Sequence, residues 1–251
     1  MTQATLNREG FIAFLTHFGD GVNDLRLDIG DNKVHGAVDV ATHYCSRDMA
    51  VVIDSGVRYD AGPVFVPDLS KLVTFLKSSK ETTILLRHTN NVLSVSAGSD
   101  HYSVPTHSQP LSALTINRAE EAIRAAKQSN WSRLGRAKLD VEGTLEMGNL
   151  HGLGTMTKVT GKDSPVRIEV LLGEMTVTAG NHRGARMART ISIDGGENGE
   201  HSTTFGSSLP SLLTCMPKGP VSFYMGDQSA LVFSHNELSN LLILKHQEGV
   251  E

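Results

Sequence analysis

The sequence predicts an α+β chain built from two duplicated domains, each with two helices packed on antiparallel sheets. Two observations carry this. First, a phrase recurs: Phe65 to Pro105 reads FVPDLSKLVTFLKSSKETTILLRHTNNVLSVSAGSDHYSVP, and Phe205 to Lys245 reads FGSSLPSLLTCMPKGPVSFYMGDQSALVFSHNELSNLLILK. Each reads as a short helix followed by three strands, with Leu69 matching Leu209 and Leu72 matching Leu212. Second, an earlier phrase recurs in the same order, Leu6-Asn7-Arg8 opening one helix and Ile116-Asn117-Arg118 opening another. Two ordered matches point to a repeated architecture.

The elements follow in order. Asn7–Phe18 reads as a helix, with Asn7 able to cap the free amides of its first turn. Val22–Ile29 and Val34–Val40 alternate apolar and polar residues around Gly30-Asp31-Asn32, a hairpin signal. Met49–Asp54 and Pro63–Val66 read as strands, and Pro67–Ser79 as a helix with proline at its start, where a missing amide costs little. Strands at Thr82–His88, Val92–Ala97 and a third ending near Val104 close the first domain, 1–108. The proline- and hydroxyl-rich stretch Pro105–Leu114, PTHSQPLSAL, reads as the link between halves, and the interdomain connector is placed at 109–116. The second domain, 117–251, repeats the plan: a helix at Asn117–Ser129, strands, a helix at Ser207–Met216 and three closing strands, with Gly195–Glu200 as a loop.

The four helices share an apolar stripe at i, i+3, i+4 and i+7. It consists of Phe11, Phe14, Leu15 and Phe18; Leu69, Leu72, Val73 and Leu76; Ala119, Ala122, Ile123 and Ala126; and Leu209, Leu212, Leu213 and Met216. The opposite faces carry Ala13 and Thr16; Lys71, Thr74 and Lys77; Glu121, Arg124 and Lys127; and Ser211, Thr214 and the following Lys218. Basic residues outnumber acidic ones there by five to one, in a chain of formal charge −4. The bland explanation is ordinary solvated helix lysines. The functional one is a surface that meets phosphates without reading bases, since flexible lysines on rigid helices give counterion release and not specificity. No aromatic residue lies on those faces, so base stacking is not indicated.

Bulk properties exclude several classes. The length can bury a sizeable core. Cys45 and Cys215 fall in different repeats, which argues against a disulfide framework and for a reduced cytoplasmic setting. Neither a secretory signal nor a membrane-length apolar run is expected. Eleven histidines invite a metal reading, best at His35 with His43-Tyr44-Cys45, but no Cys-x-x-Cys or His-Glu-x-x-His pairing is present. Gly180 to Arg186 is glycine-flanked and basic yet lacks the Gly-Lys-Ser/Thr of a P-loop, so a hairpin turn is expected, with Arg183 and Arg186 as surface charges. Gly-x-Ser-x-Gly is absent as well. Neither catalysis nor a cofactor is expected. Asp39 and Asp54 alternate with apolar residues on strands, as solvent-facing positions do.

The repeat plan resembles the DNA polymerase sliding clamps, most of all the two-domain clamps of the trimeric phage and PCNA class. The segments that carry the resemblance are Glu174 to Gly180, Gly196-Glu197-Asn198, Pro217 to Val221 and Ala230 to Phe233. The resemblance implies a non-catalytic processivity factor: a closed head-to-tail ring of six domains, hence a homotrimer, with sheets continuous across subunit boundaries. It further implies duplex DNA in the hole, a DNA polymerase and a clamp loader as partners, and a cytoplasmic, nucleoid-associated location, in the host if the gene is a phage's. Carried over by position, Lys71, Lys77, Arg124 and Lys127 would line the hole, with Lys80, Arg118 and Lys218 as peripheral helpers. The partner pocket would use Leu111 and Leu114 of the connector and Leu244 of the last strand, with the tail to Glu251. Trp131–Lys162 departs from the class in its glycine and basic content (Arg133, Arg136, Lys138, Lys158, Lys162). It holds either the early strands of the second domain, such as Ala137–Glu142, with an extended loop, or an insertion serving another partner. Rival functions are an oligomeric structural or virion protein indifferent to DNA, and a metal-dependent enzyme built on the scattered histidines.

Overall fold

The structure, a computed structural model, describes residues 2–19, 22, 24–30, 33–50, 63–106, 111–161, 163–180, 184–196, 199–235 and 240–245. The chain divides into two compact units, Met1–Asp39 with Cys45–Ile116, and Val40–Tyr44 with Asn117–Glu251.

The first unit opens with β1 (Thr2–Asn7) and α1 (Arg8–Thr16). Asn7 caps α1 as expected, its Oδ1 accepting from the Gly10 amide at 2.8 Å. Then come β2 (Leu25–Ile29), β3 (Lys33–Asp39), β4 (His43–Ala50) and β5 (Val64–Val66). Strand β4 begins well before the expected Met49, and positions 51–54 lie outside the described residues. Helix α2 (Leu69–Ser78) is capped by Asp68, and β6 (Thr83–Thr89), β7 (Val92–Ala97) and β8 (Asp100–Pro105) follow. One antiparallel sheet runs β1-β6-β7-β8; the other strands lie in the order β4-β3-β2-β5. Helices α1 and α2 pack together, and Phe14 of α1 and Phe18 just beyond its end lie on β3. A Cβ at Gly36 would stand 2.6 Å from Phe18 and 2.7 Å from Phe14, so only glycine lets the two rings approach.

Between the two repeats the chain forms a helix that the duplication does not supply. Helix α3 runs from Leu111 to Gln128, with neither proline nor glycine to stop it. Asn117 is therefore mid-helix, and the expected helix start there is corrected: Ile116-Asn117-Arg118 is not the counterpart of Leu6-Asn7-Arg8. After a small hairpin, β9 (Arg133–Leu134) and β10 (Ala137–Lys138), comes β11 (Val141–Glu146). The true counterpart of α1 follows it: α4 (Gly148–His151), a 3-10 turn (Gly152–Thr155) and α5 (Met156–Thr160). The strand-plus-loop expectation for this stretch is thus half right. The helix was illegible because Gly148, Gly152 and Gly154 each cost about 1 kcal/mol of helix propensity and break it into pieces.

Strands β12 (Val166–Leu171), β13 (Glu174–Ala179), β14 (Met187–Ser192), β15 (Asp194–Gly195) and β16 (His201–Phe205) lead to α6 (Leu209–Cys215). The unit closes with β17 (Pro220–Met225), β18 (Leu231–His235) and β19 (Asn240–Leu244). The Gly180–Arg186 segment links β13 to β14, as a hairpin turn should, and Arg186 is exposed; Arg183 lies outside the described residues.

The strand orders prove the duplication. The order β1-β6-β7-β8 recurs as β11-β17-β18-β19, and β4-β3-β2-β5 recurs as β14-β13-β12-β16. The repeats differ on one face. In the first unit Leu6, Ile84, Leu86, Leu93 and Val95 bury one side of the closing sheet, and the other side is wet. That wet side carries hydrogen-bonded pairs, Arg87 to Gln3 (2.9 Å), Ser94 with Ser103 (3.0 Å) and Ser96 with His101 (2.9 Å). In the second unit Val221, Phe223, Met225, Leu231 and Phe233 form the core side. The opposite side holds Tyr224, Val232, Leu241 and Ile243, and Val232 there is fully buried. Trp131, just after α3, stacks on Tyr224 with ring centroids 5.2 Å apart. The C-terminal part of α3, whose Ile123 and Ala126 are buried and which Trp131 pins to Tyr224, therefore lies on the core-distal face that the first unit leaves to water.

Candidate nucleic-acid interface

Each unit offers a helix pair whose outward surface can be assembled residue by residue. In α2, Leu69, Leu72 and Leu76 are buried. Lys71, Thr74 and Lys77 sit successive ~60° steps apart on the opposite arc, and all three are exposed. Lys71 is 73% exposed and pairs with its own cap, Nζ to Asp68 Oδ2 at 2.6 Å. Hydrogen bonds from Lys71 and then Ser70 hold the Asp68 carboxyl below its ordinary value, and Asp68 in turn raises the Lys71 ammonium. The lysine stays cationic, in an exposed pair that a phosphate can compete for. Lys77 and Lys80, in and after the last turn, are exposed, and no ion pair among the described residues engages them.

Helix α1 contributes no exposed cation. Its outward positions are Glu9, 84% exposed, with Ala13 and Thr16. Its one arginine is spent on structure: the Arg8 guanidinium donates to the Leu76 and Ser79 carbonyls at the end of α2, where it also complements the helix dipole. Arg47 donates to the Ala13 carbonyl at 3.0 Å, and burial lowers its guanidinium from the ordinary value.

In the second unit α4 and α6 pack together. Glu146 ties them: its Oε1 accepts from the Gly219 amide (2.7 Å) and the Gly148 amide (3.4 Å). His151 bonds the Met216 carbonyl at 2.9 Å from the other helix. The exposed cations of this pair are Lys158 on α5 and Lys218 after α6. Lys158 is a residue that sequence reasoning left off the helix surface, because its helix could not be seen. Arg189 of β14 lies against the backbone of the 3-10 turn and donates to the Asn149 carbonyl at 3.3 Å.

Arg118, Arg124 and Lys127 are exposed on α3, apart from this pair. The positional carry-over that set Arg124 and Lys127 among repeat helices rested on the helix equivalence corrected above. Of the apolar positions, Leu114 is 60% exposed on α3, Leu111 is its first residue, and Leu244 is 1% exposed on the core side of β19. Leu244 therefore belongs to the core of its own sheet and not to an exposed surface. The best histidine cluster disperses: His35 Nδ1 bonds Asp48 Oδ1 at 2.6 Å, and His43 Nδ1 lies 3.0 Å from Thr42 Oγ1. Among the described residues no group of three His, Cys, Asp or Glu side chains could hold a metal ion. No helix among them is long and apolar enough to cross a membrane.

No protein-family model matches this sequence, and no curated protein matches it. Solved structures do. A DNA polymerase III beta subunit from Eubacterium rectale superposes with a TM-score of 0.75 at 14% identity, over 99% of this chain and 66% of that one. The DNA polymerase III subunit beta of Pseudomonas aeruginosa gives 0.73 at 13% identity, over 99% and 67%. That of Thermotoga maritima gives 0.73 at 9%, over 99% and 66%. The chain thus spans about two thirds of the length of the structures it matches. Its duplicated strand orders and paired helices, together with these superpositions, give it the DNA sliding-clamp fold.

Proposed function

We propose that this chain is a subunit of a DNA sliding clamp, a non-catalytic ring that encircles duplex DNA and tethers a polymerase to it. The observation that carries the reading is the pair of lysine-bearing helix surfaces, Lys71, Lys77 and Lys80 in one unit and Lys158 and Lys218 in the other, on a clamp fold. Phosphate contacts of this kind are independent of sequence and leave the ring free to slide. Tethering raises the effective concentration of polymerase at the template without any chemistry.

The clamp domains are 1–108 and 117–251, with 109–116 joining them through the first turns of α3. Two domains per chain make three chains the number that closes a six-domain ring, through a heterologous interface. Two sheet edges fit that role. On β8, Tyr102 and Val104 point to the core side yet stay half exposed, with Tyr102 stacked on Phe75 at 5.4 Å. On β14, Met187 and Ile191 are likewise core-side and half exposed. Each edge needs a strand to cover it, and β8 of one copy against β14 of the next supplies it. Leu111 and Leu114 on α3 are the candidate residues for docking a polymerase and a clamp loader, with Leu244 of β19 as the third candidate, and the setting is cytoplasmic, at the nucleoid, or the host cytoplasm for a phage protein.

Two measurements test this. Light scattering across a dilution series should give three times the 27.1 kDa chain mass. The loaded protein should remain on nicked circular DNA and leave when the circle is cut. A chain that stays monomeric at high concentration refutes the ring. Lys71→Glu with Lys77→Glu should abolish retention on circles while the trimer persists; unchanged retention refutes the assignment of the helix surface.

A further inference from the structure

Between Asn117 and Leu139 the chain carries six basic residues and two acidic ones, against a formal charge of −4 for the whole. This stretch is α3 with the β9–β10 hairpin, the part of the second unit that the duplication does not contain. Arg118, Arg124, Lys127, Arg133, Arg136 and Lys138 are all exposed, and no ion pair among the described residues engages any of them. The surface lies on the core-distal side of the β11-β17-β18-β19 sheet, because Trp131 is pinned there on Tyr224. We infer that this outer surface is a second nucleic-acid site, which binds the phosphate backbone of duplex DNA on a face of the second unit other than its helix pair.

The chemistry selects the ligand. An acidic peptide would need an apolar anchor in a desolvated pocket among the charges, and among the described residues the large exposed apolar side chain of α3, Leu114, lies beyond the basic run at the far end of the helix. A single strand would need aromatic faces for its bases, and the aromatic residue here, Trp131, is only 8% exposed. What remains is a rigid scaffold of arginines and lysines, which suits the fixed phosphate array of a duplex. From Arg118 to Lys127 the helix advances about 14 Å, enough to follow several phosphates along a groove edge. Carboxylates border this surface: Glu121 is exposed in the arc between Arg118 and Arg124, Glu142 is exposed opposite Tyr224 on the same face, and Asp140 and Asp227 line a cleft with Lys138.

The inference does not rest on ring closure. A short blunt-ended duplex cannot be retained topologically, so its binding at low salt reads surface contacts alone. Fluorescence anisotropy on the full chain should give a salt-dependent affinity. The Arg118→Gln, Arg124→Gln, Lys127→Gln triple variant should weaken it more than tenfold and reduce the log–log salt slope by about 2 to 3, near 0.9 per phosphate contact. Glu121→Gln should tighten binding several-fold, a gain that misfolding cannot mimic. Lys71→Gln with Lys77→Gln should leave most of this affinity in place while it abolishes retention on circles, so the two proposals fail separately. An unchanged slope in the triple variant overturns the inference. So does tighter binding of a single strand of equal length, or capture of a glutamate-rich peptide with no duplex binding.

Discussion

Removing the Trp131 side chain tests the placement of α3 most directly. Trp131 follows α3 in a left-handed conformation, φ 59°, right after Asn130 at φ 49°. Its amide bonds the Ala126 carbonyl at 2.7 Å, which closes the helix end and aims the indole at Tyr224. The rings lie 20° from parallel, and burial raises the Tyr224 phenol above its ordinary value. Trp131→Ala should destabilise the second unit by about 3–5 kcal/mol, the usual cost of a buried aromatic truncated to alanine. About 0.5–1.5 kcal/mol of that is the stack itself, which Trp131→Phe should largely keep. With a urea slope of roughly 2 kcal/mol per molar, the alanine variant's unfolding midpoint, followed by far-UV circular dichroism, should fall by about 1.5–2.5 M. Hydrogen exchange should then show the α3 amides opening ahead of the sheet. The wild-type chain has a single tryptophan, so its emission should be that of a buried indole and should shift red only when this contact opens. If Trp131→Ala keeps its midpoint and α3 keeps its protection, the helix is not held on the Tyr224 face, and the outer-surface assignment goes with it.

Further outcomes can be checked with single variants. Gly226→Ala should cost about 1–3 kcal/mol by overpacking, since a Cβ there would lie 2.0 Å from the Lys138 backbone carbonyl oxygen, whereas Gly154→Ala, with open space around it, should be neutral or stabilising in thermal unfolding. Burial alone would raise the Asp48 carboxyl, but hydrogen bonds from His35 and Lys33 outweigh it and leave the carboxyl below its ordinary value. The stability from Asp48 is therefore full above the ordinary carboxylate range and is lost as pH falls through the depressed value. Asp48→Asn should flatten that acid loss, and an unaltered acid-unfolding curve would show the triad contributes nothing. Tyr102→Asp or Ile191→Asp should convert the proposed trimer to monomers by light scattering while circular dichroism stays native; intact trimers would move the interface elsewhere.

The duplication was legible because its signal is periodic: a helix stripe at 3.6 residues, strand alternation at 2, and polar turns such as Thr89-Asn90-Asn91 between them. Asn90 and Asn91 indeed take positive φ, 52° and 59°, as a tight hairpin turn requires. The closing strands and the Asn7 cap follow from the same local rules. What could not be read was pairing between distant segments. A three-residue echo at Ile116-Asn117-Arg118 carried the registration of the second repeat, yet the counterpart of Arg8 in the fold follows β11, some thirty residues later. Nor could periodicity find α4 and α5, since Leu150, Leu153 and Met156 are buried from three short pieces that no single helical wheel describes. Lys158 was hidden by the same glycines. The burial of Leu244 on the core side depends on its register with Leu231, which only the sheet order fixes.

The two faces of the closing sheets explain why α3 exists at all. Ser94, Ser96, His101 and Ser103 let the first unit's sheet meet water on its far side, through hydrogen bonds along the strands. Val232, Leu241 and Ile243 at the equivalent positions forbid that in the second unit, since burying such side chains is worth about 1.5–3 kcal/mol each and leaving them wet would expose a contiguous apolar patch. Apolar outer face and covering helix therefore depend on each other, and neither is useful to the fold alone. A cover demanded only by packing needs its inner stripe, Ile123 and Ala126, and places no constraint on its outer side chains. The outer side of α3 and its hairpin is nonetheless the most basic stretch of an acidic chain. Packing accounts for the helix, and it leaves the charge to be explained by what binds there.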